Sequence, residues 1–354
     1  MSRADLPGRG TQANPPNRYE PLHVELEPDE GDDAYGPPAQ PTVLYRDSSR
    51  TILAENDSPD IGFRFSLNPY RGCEHGCVYC YARPSHEYLG FSAGLDFERR
   101  IMVKDNAPEL LRDALSAPRW EPQVVALSGN TDCYQPIERR LGITRRCLEV
   151  FVEFRNPVAA ITKSALVARD ADLFAELARH GAAHVMLSIT TLDPELARRM
   201  EPRAARPERK LAAMRTLADA GVPVGVMIGP VIPGLNDAEI PRILAAAADA
   251  GARSGSWVLL RLPKPVDALF QDWLAEHYPD RRERVLGRIR EVRQGKLSDP
   301  RFFQRQRGQG EYAAQIAGLF AVAARKHGLD KRLPPLSTGA FRRPARAGDQ
   351  LKLL

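Results

Sequence analysis

From about residue 61 onward, short continuous apolar runs alternate with longer segments in which apolar residues recur every three or four positions, and Gly or Pro punctuates the changes. The short runs read as buried strands at 63–68, 123–128, 158–162, 184–190, 222–228 and 257–262. Amphipathic helices are predicted between them at 108–117, 144–155, 170–179, 207–220 and 237–250. The run GVPVGVMIG after Ala220 shows the junction: a glycine stops the helix and a strand apolar on both faces follows. Strands joined through helices pair in parallel, with right-handed crossovers. Six are too few to close an eight-stranded barrel, so the pattern predicts an α/β fold, an open partial (β/α)6 TIM-type barrel with ligands at the strands' C-terminal ends.

Beyond Pro263 the periodicity is helical only, at 266–277, 281–294 and 311–327. The expected organisation is a core at 61–263, a helical cap at 264–330 and a basic tail at 331–354. Residues 1–60 are rich in Pro, Gly and Asp without apolar periodicity, and read as a disordered or loosely attached tail.

The chain has 354 residues, 43% apolar and 27% charged, near globular averages, and no apolar run approaches membrane-spanning length. Its N-terminus lacks the apolar stretch of a secretory signal, and three of its five cysteines crowd between 73 and 80. A cytoplasmic location is expected, with cysteines that hold a metal or do chemistry rather than staple a secreted scaffold. The net charge of +5 is unevenly spread: residues 1–40 are acidic, and the body and the last 24 residues are basic. Only eight of the 50 basic residues are Lys. An Arg-rich surface suits phosphate contacts, and equally an ordinary solvated face.

The densest chemistry lies in NPYRGCEHGCVYCYARP, residues 68–84, where Cys73, Cys77 and Cys80 stand in a C-x3-C-x2-C spacing loosened by Gly72 and Gly76. Thiolates are soft ligands for zinc or iron–sulfur clusters. Structural zinc takes four protein ligands, so His75 or a distant residue would have to complete it, whereas a three-cysteine [4Fe-4S] cluster leaves one iron open. A zinc or redox-sensor role stands beside the cluster on spacing alone. Cys147 falls in a predicted amphipathic helix and reads as a small core residue. Cys133 follows the second strand in SGNTDCYQP, where barrel ligands gather, and is open to packing or to catalysis.

The cysteine spacing in a loop after the first strand, with Tyr79 before the third cysteine, resembles the radical S-adenosylmethionine (SAM) superfamily. Within it, N-P-Y-R-G-C-x-H-x-C-x-Y-C-Y-A-R is similar to the spore photoproduct lyase-like, or DNA repair photolyase-like, group, a resemblance covering about 60–330. It implies a [4Fe-4S] cluster on Cys73, Cys77 and Cys80 whose open iron chelates SAM. A reductant such as flavodoxin or ferredoxin then drives cleavage to a 5′-deoxyadenosyl radical that takes hydrogen from substrate.

The resemblance also implies cofactor contacts. Tyr79 would border adenine; Ser128 and Gly129, Asn130, Thr131 and Asp132 stand where the methionine amino group is received, without the common Gly-Gly-Glu form. Lys163, in ITKS, would meet the methionine carboxylate, Ser188 and Thr190 the ribose, and Gly225 and Met227, in VGVMIGP, the adenine. Tyr81 and Cys133 are the catalytic candidates, Tyr81 as a hydrogen relay or as an aromatic packed on the cluster. True spore photoproduct lyase carries a hydrogen-donating cysteine beside its second-strand motif, and Cys133 is displaced from that place. Arg83, His86 and Glu87 are candidates for binding substrate or stabilising their loop, with Lys104, Glu201, Arg203 and Arg209 of lower rank.

The implied substrate is nucleic acid. A peptide or small molecule, or a noncatalytic iron–sulfur or zinc interaction protein, are the alternatives. The C-terminal Gln350-Leu351-Lys352-Leu353-Leu354 resembles the Q-L-x-L-F peptide that binds the sliding clamp, with Leu354 in place of Phe.

Overall fold

The computed structural model describes residues 10, 11, 13–15, 17, 18 and 41–344. The strands are β1 (Val43–Arg46), β2 (Leu53–Glu55), β3 (Phe65–Leu67), β4 (Tyr70–Arg71), β5 (Arg100–Val103), β6 (Val125–Leu127), β7 (Val158–Thr162), β8 (Ala183–Ser188), β9 (Val224–Val231) and β10 (Gly255–Leu259). The helices up to residue 200 are α1 (Leu95–Arg99), α2 (Ala107–Ser116), α3 (Glu138–Leu141), α4 (Ile143–Phe154), α5 (Ala171–Arg179) and α6 (Pro194–Met200). Those beyond are α7 (Pro207–Asp219), α8 (Ile240–Asp249), α9 (Val266–His277), α10 (Pro279–Glu291), α11 (Gln304–Arg307) and α12 (Gly310–Lys326).

The main sheet has the order β10-β9-β8-β7-β6-β3-β2. The strands from β3 to β10 run parallel, with Phe65 beside Val125, Val125 beside Val158, Val158 beside Ala183 and Val185 beside Val224. This is the expected open (β/α)6 barrel, with β2 added antiparallel on β3. Each predicted barrel strand is present, shifted by a few residues at most. Two additions precede the expected core boundary at 61. β2 joins the main sheet, and β1 forms a separate sheet of order β1-β5-β4. The tail reading of 1–60 is thus corrected for residues 41–60, and most of what precedes them lies outside the described residues.

The residues assigned to one helical cap divide between two tasks. Helices α9 and α10 bury Phe270, Trp273, Leu274, Val285 and Ile289 in a second core that also takes in Cys77, Val78 and Tyr79. They buttress the cysteine loop. Helix α12 instead joins the outer layer of the barrel against α8, with Phe320 against Trp257 of β10. The described part of the basic tail, 331–344, crosses the strands' N-terminal ends. There the Ser337 N–H donates to the Gly181 carbonyl, the Arg342 N–H to Phe154 and Arg343 Nη2 to Trp120. Gln350–Leu354 lies outside the described residues. No helix among the described residues is long and apolar enough to cross a membrane.

Candidate functional site

The cysteine loop leaves β4 at the C-terminal mouth of the barrel and is held by its backbone, which leaves the thiols free. The Cys73 N–H donates to the Phe97 carbonyl at 2.8 Å, and Gln135 clamps both sides, accepting from Glu74 N–H and donating to Gly72 O. Arg83, fully buried, donates twice to the Cys77 carbonyl at 2.9 and 3.0 Å and pairs with buried Glu98 at 2.6 Å. Gly76 has φ +68°, and a Cβ there would sit 2.9 Å from Glu98 Oε2, so the turn needs glycine. The N-terminal segment covers this loop: Gly10 donates its N–H to Glu98 at 2.9 Å, and Asn14 Oδ1 and the Pro15 carbonyl accept from Asp96 N–H and Ser92 Oγ. Among the described residues no three His, Cys, Asp or Glu side chains already converge on a single-ion sphere. Burial pushes the Cys73, Cys77 and Cys80 thiols up, so metal must displace their protons on binding.

Beneath the loop the strands present two unlike faces. Val158, Ala160, Val185, Leu187, Val224, Val226 and Ile228 point outward and are buried under the helices. The alternate positions, Ala159, Ile161, His184, Met186 and Met227, are only half-buried. Glycines widen this inner face: a Cβ on Gly225 would meet Met186 Sδ at 2.5 Å, and one on Gly229 would meet Met227 and Val258. A packed barrel fills its interior with bulky branched residues. This one leaves several inner positions to glycine, alanine and polar groups beside Ile161, Met186 and Met227, which suits a barrel that holds a ligand.

At the top of that face, Lys163 just after β7 reaches the Gly229 carbonyl at 2.6 Å, Ser188 Oγ at 2.9 Å and Thr190 Oγ1 at 3.1 Å. Its ammonium also lies 3.2 Å from Glu201, which pairs with Lys210 at 2.8 Å and accepts from Thr190 Oγ1 and the Tyr79 hydroxyl. Burial opposes ionisation of Glu201, but Lys163 and Lys210 outweigh it and hold the carboxyl below its usual range. Tyr79, Lys163, Ser188, Thr190, Gly225 and Met227 are therefore brought together on or above the inner face.

The segment after β6 divides. Gly129 and Asn130 remain at the mouth, where the Gly129 carbonyl accepts from the Tyr81 hydroxyl at 3.1 Å and Asn130 Nδ2 donates to Ser85. Thr131 turns inward and donates to the Tyr70 carbonyl at 2.6 Å. The Asp132 carboxylate is occupied, accepting from the Thr162 hydroxyl and the Lys163 and Tyr134 N–H groups, with His75 Nδ1 at 3.4 Å. These two residues position the strand ends. Cys133, a catalytic candidate by sequence, has its side chain fully buried in the main core with Tyr134 and Cys147, and burial pushes its thiol well above the ordinary range.

A family model described as the radical SAM superfamily matches residues 67–247, half of the chain. The chain belongs to the radical SAM superfamily. An uncharacterized protein of Mycobacterium tuberculosis is 34% identical over 288 residues, 80% of this chain and 81% of its own length. The radical SAM Nalpha-GlyT isomerase of Pseudomonas phage M6 is 25% identical over 54% of this chain and 38% of its own. A spore photoproduct lyase mutant with bound AdoMet and dinucleoside spore photoproduct shares the fold, with TM-score 0.53, 15% identity and coverage of 81% of this chain and 79% of that one.

Radical SAM proteins use a [4Fe-4S] cluster and SAM and need an external reductant. The residues present fit those groups: three thiols sit on a glycine-tightened loop over an inner face opened by Gly225 and Gly229. Several neighbours of this candidate site were not evident from sequence. Lys210 stands in PERKL, which reads as a solvated helix, and Glu201 ranked low for the same reason. At the mouth Tyr81 is 48% exposed beneath Arg261, 5.3 Å from its ring. Exposed Phe302 and Phe303 lie beside Arg305, whose pairing with Asp60 bridges the open seam between the β2–β3 hairpin and the segment along β10.

Proposed function

We propose that Cys73, Cys77 and Cys80 hold the cluster, that Lys163 receives the methionine carboxylate of SAM while Ser188 and Thr190 border its ribose, and that the enzyme acts on nucleic acid. When bound, the cluster and SAM supply a 5′-deoxyadenosyl radical for hydrogen abstraction. The chain's own residues orient and shield that chemistry: the Arg83–Glu98 pair fixes the loop, Met186 and Met227 line the space below, and Tyr81 faces the substrate side.

The observation that carries the substrate reading is the exposed Tyr81 ring at the mouth, beneath Arg261, together with exposed Phe302 beside Arg305 along the open seam. Aromatic rings stack on bases and guanidinium groups contact phosphate, so the combination suits a base presented out of a stack. The fold shared with spore photoproduct lyase supports the same direction. Flavodoxin or ferredoxin is the proposed reductant. The test is anaerobic turnover with deuterated DNA, RNA and peptide pools, reading deuterium in 5′-deoxyadenosine. Label from nucleic acid, with binding that weakens steeply as salt rises, is expected. Label from the peptide pool alone would replace nucleic acid with a peptide substrate.

A further inference from the structure

At the head of the barrel the buried ammonium of Lys210 and the half-buried ammonium of Lys163 share one buried carboxylate. An ammonium has three protons, and Lys163 has four acceptors within reach: Gly229 O at 2.6 Å, Ser188 Oγ at 2.9 Å, Thr190 Oγ1 at 3.1 Å and Glu201 Oε1 at 3.2 Å. The Glu201 contact is the longest of the four. Glu201 is otherwise well served, since Lys210 Nζ donates to its other oxygen at 2.8 Å, and Thr190 Oγ1 and the Tyr79 hydroxyl donate to the oxygen that faces Lys163. Lys210 comes from α7, is 1% exposed, and pairs with Glu201.

A buried carboxylate stripped of its last cation is strongly disfavoured. If Lys163 were Glu201's sole counter-ion, it could not turn to an incoming carboxylate without leaving that charge bare. We propose that Lys210 is a positioning residue that makes Lys163 exchangeable: by holding Glu201, it frees Lys163 to pass from this internal carboxylate to the α-amino-acid carboxylate of SAM. The exchange rests on the reading of Lys163 as the group that receives that carboxylate. Glu201 is then a resting partner that keeps Lys163 aimed into the barrel, and through the Tyr79 hydroxyl it ties that position to the cysteine loop.

The test is anaerobic equilibrium binding of SAM, and of decarboxylated SAM, to the full-length cluster-loaded protein, with iron content and Tm measured for each variant. Lys210→Met should weaken SAM by about tenfold or more while leaving decarboxylated SAM unaffected. Lys210→Arg should bind within about threefold of the native chain, because the charge on Glu201 is kept. Glu201→Gln removes the competing carboxylate, so it should bind SAM at least as tightly as the native chain, and adding it to Lys210→Met should restore the lost affinity. A packing role for Lys210 gives no such rescue. If Lys163→Ala leaves SAM affinity unchanged, the carboxylate reading itself fails and the exchange with it. If Lys163→Ala weakens SAM but Lys210→Met does not, or Glu201→Gln binds more weakly than the native chain, the exchange is wrong and the reading of Lys163 stands. Should Lys210→Met lose iron, the Glu201→Gln result still decides.

Discussion

The five cysteines fall into two chemical classes that spacing and place in the fold separate. Cys73, Cys77 and Cys80 share a backbone-clamped loop at the barrel mouth, whereas Cys133 and Cys147 are fully buried among Val, Phe and Tyr side chains. Cys73→Ala should therefore abolish the intact cluster, and Cys147→Ala should leave iron per chain unchanged in an iron assay. The spacing of the first three is visible in the sequence because all lie within eight residues. The Lys163–Glu201–Lys210 group is not, because β7, the end of α6 and α7 bring it together only on folding. His86 shows a third kind of residue. It is fully buried against the Phe91 and Phe97 rings, and burial pushes its pKa from 6.5 down to about 4. Between those values the unfolded chain takes up a proton that the folded chain refuses. The contribution of His86 is thus intact above pH 6.5 and is lost as pH falls toward 4, by about 3 kcal/mol. Denaturant melts of native and His86→Phe protein at pH 7 and pH 5 should show a smaller acid loss for the variant; equal losses would assign the effect to other groups.

At the scale of elements, the described N-terminal residues behave as part of the cysteine loop. A Cβ on Gly10 would stand 1.4 Å from the Gly76 carbonyl oxygen, so any side chain there must lift the segment and break the bond from Gly10 N–H to Glu98. Gly10→Val should speed the bleaching of the cluster in air several-fold with little change in Tm; an unchanged bleaching rate would mean that the segment does not shield it. No periodicity announced this contact, because an extended segment held by backbone bonds needs no apolar pattern. The barrel strands were legible for the opposite reason: outward Val, Leu and Ile at alternate positions are demanded by the helices that cover them. β1, β2, β4 and β5 run two to four residues, too short to show a period, and Tyr70–Arg71 is hidden inside the cysteine motif.

Over the whole molecule, the barrel separates its ends by function. The cysteine loop, the Lys163 group and the aromatic–arginine mouth gather at the strands' C-terminal ends. The described part of the basic tail is tied at the opposite end, to Gly181, Phe154 and Trp120. Charge summed along the sequence could not show this, because it carries no position; the positive charge of the described residues 331–344 lies away from the mouth. The cysteine loop itself is gripped from three sides, by α1, by the α9–α10 core and by the N-terminal segment, and this supports a redox centre held in fixed relation to the space below. The most direct test is reductive cleavage. Reconstituted anaerobically with iron and sulfide, the native chain should bind about four irons and, on addition of dithionite and SAM, release methionine and 5′-deoxyadenosine in equal amounts, while a Cys73→Ala/Cys77→Ala/Cys80→Ala chain should release neither. A native chain that takes up one zinc and no iron, or that holds the cluster and leaves SAM intact under reduction, would contradict it.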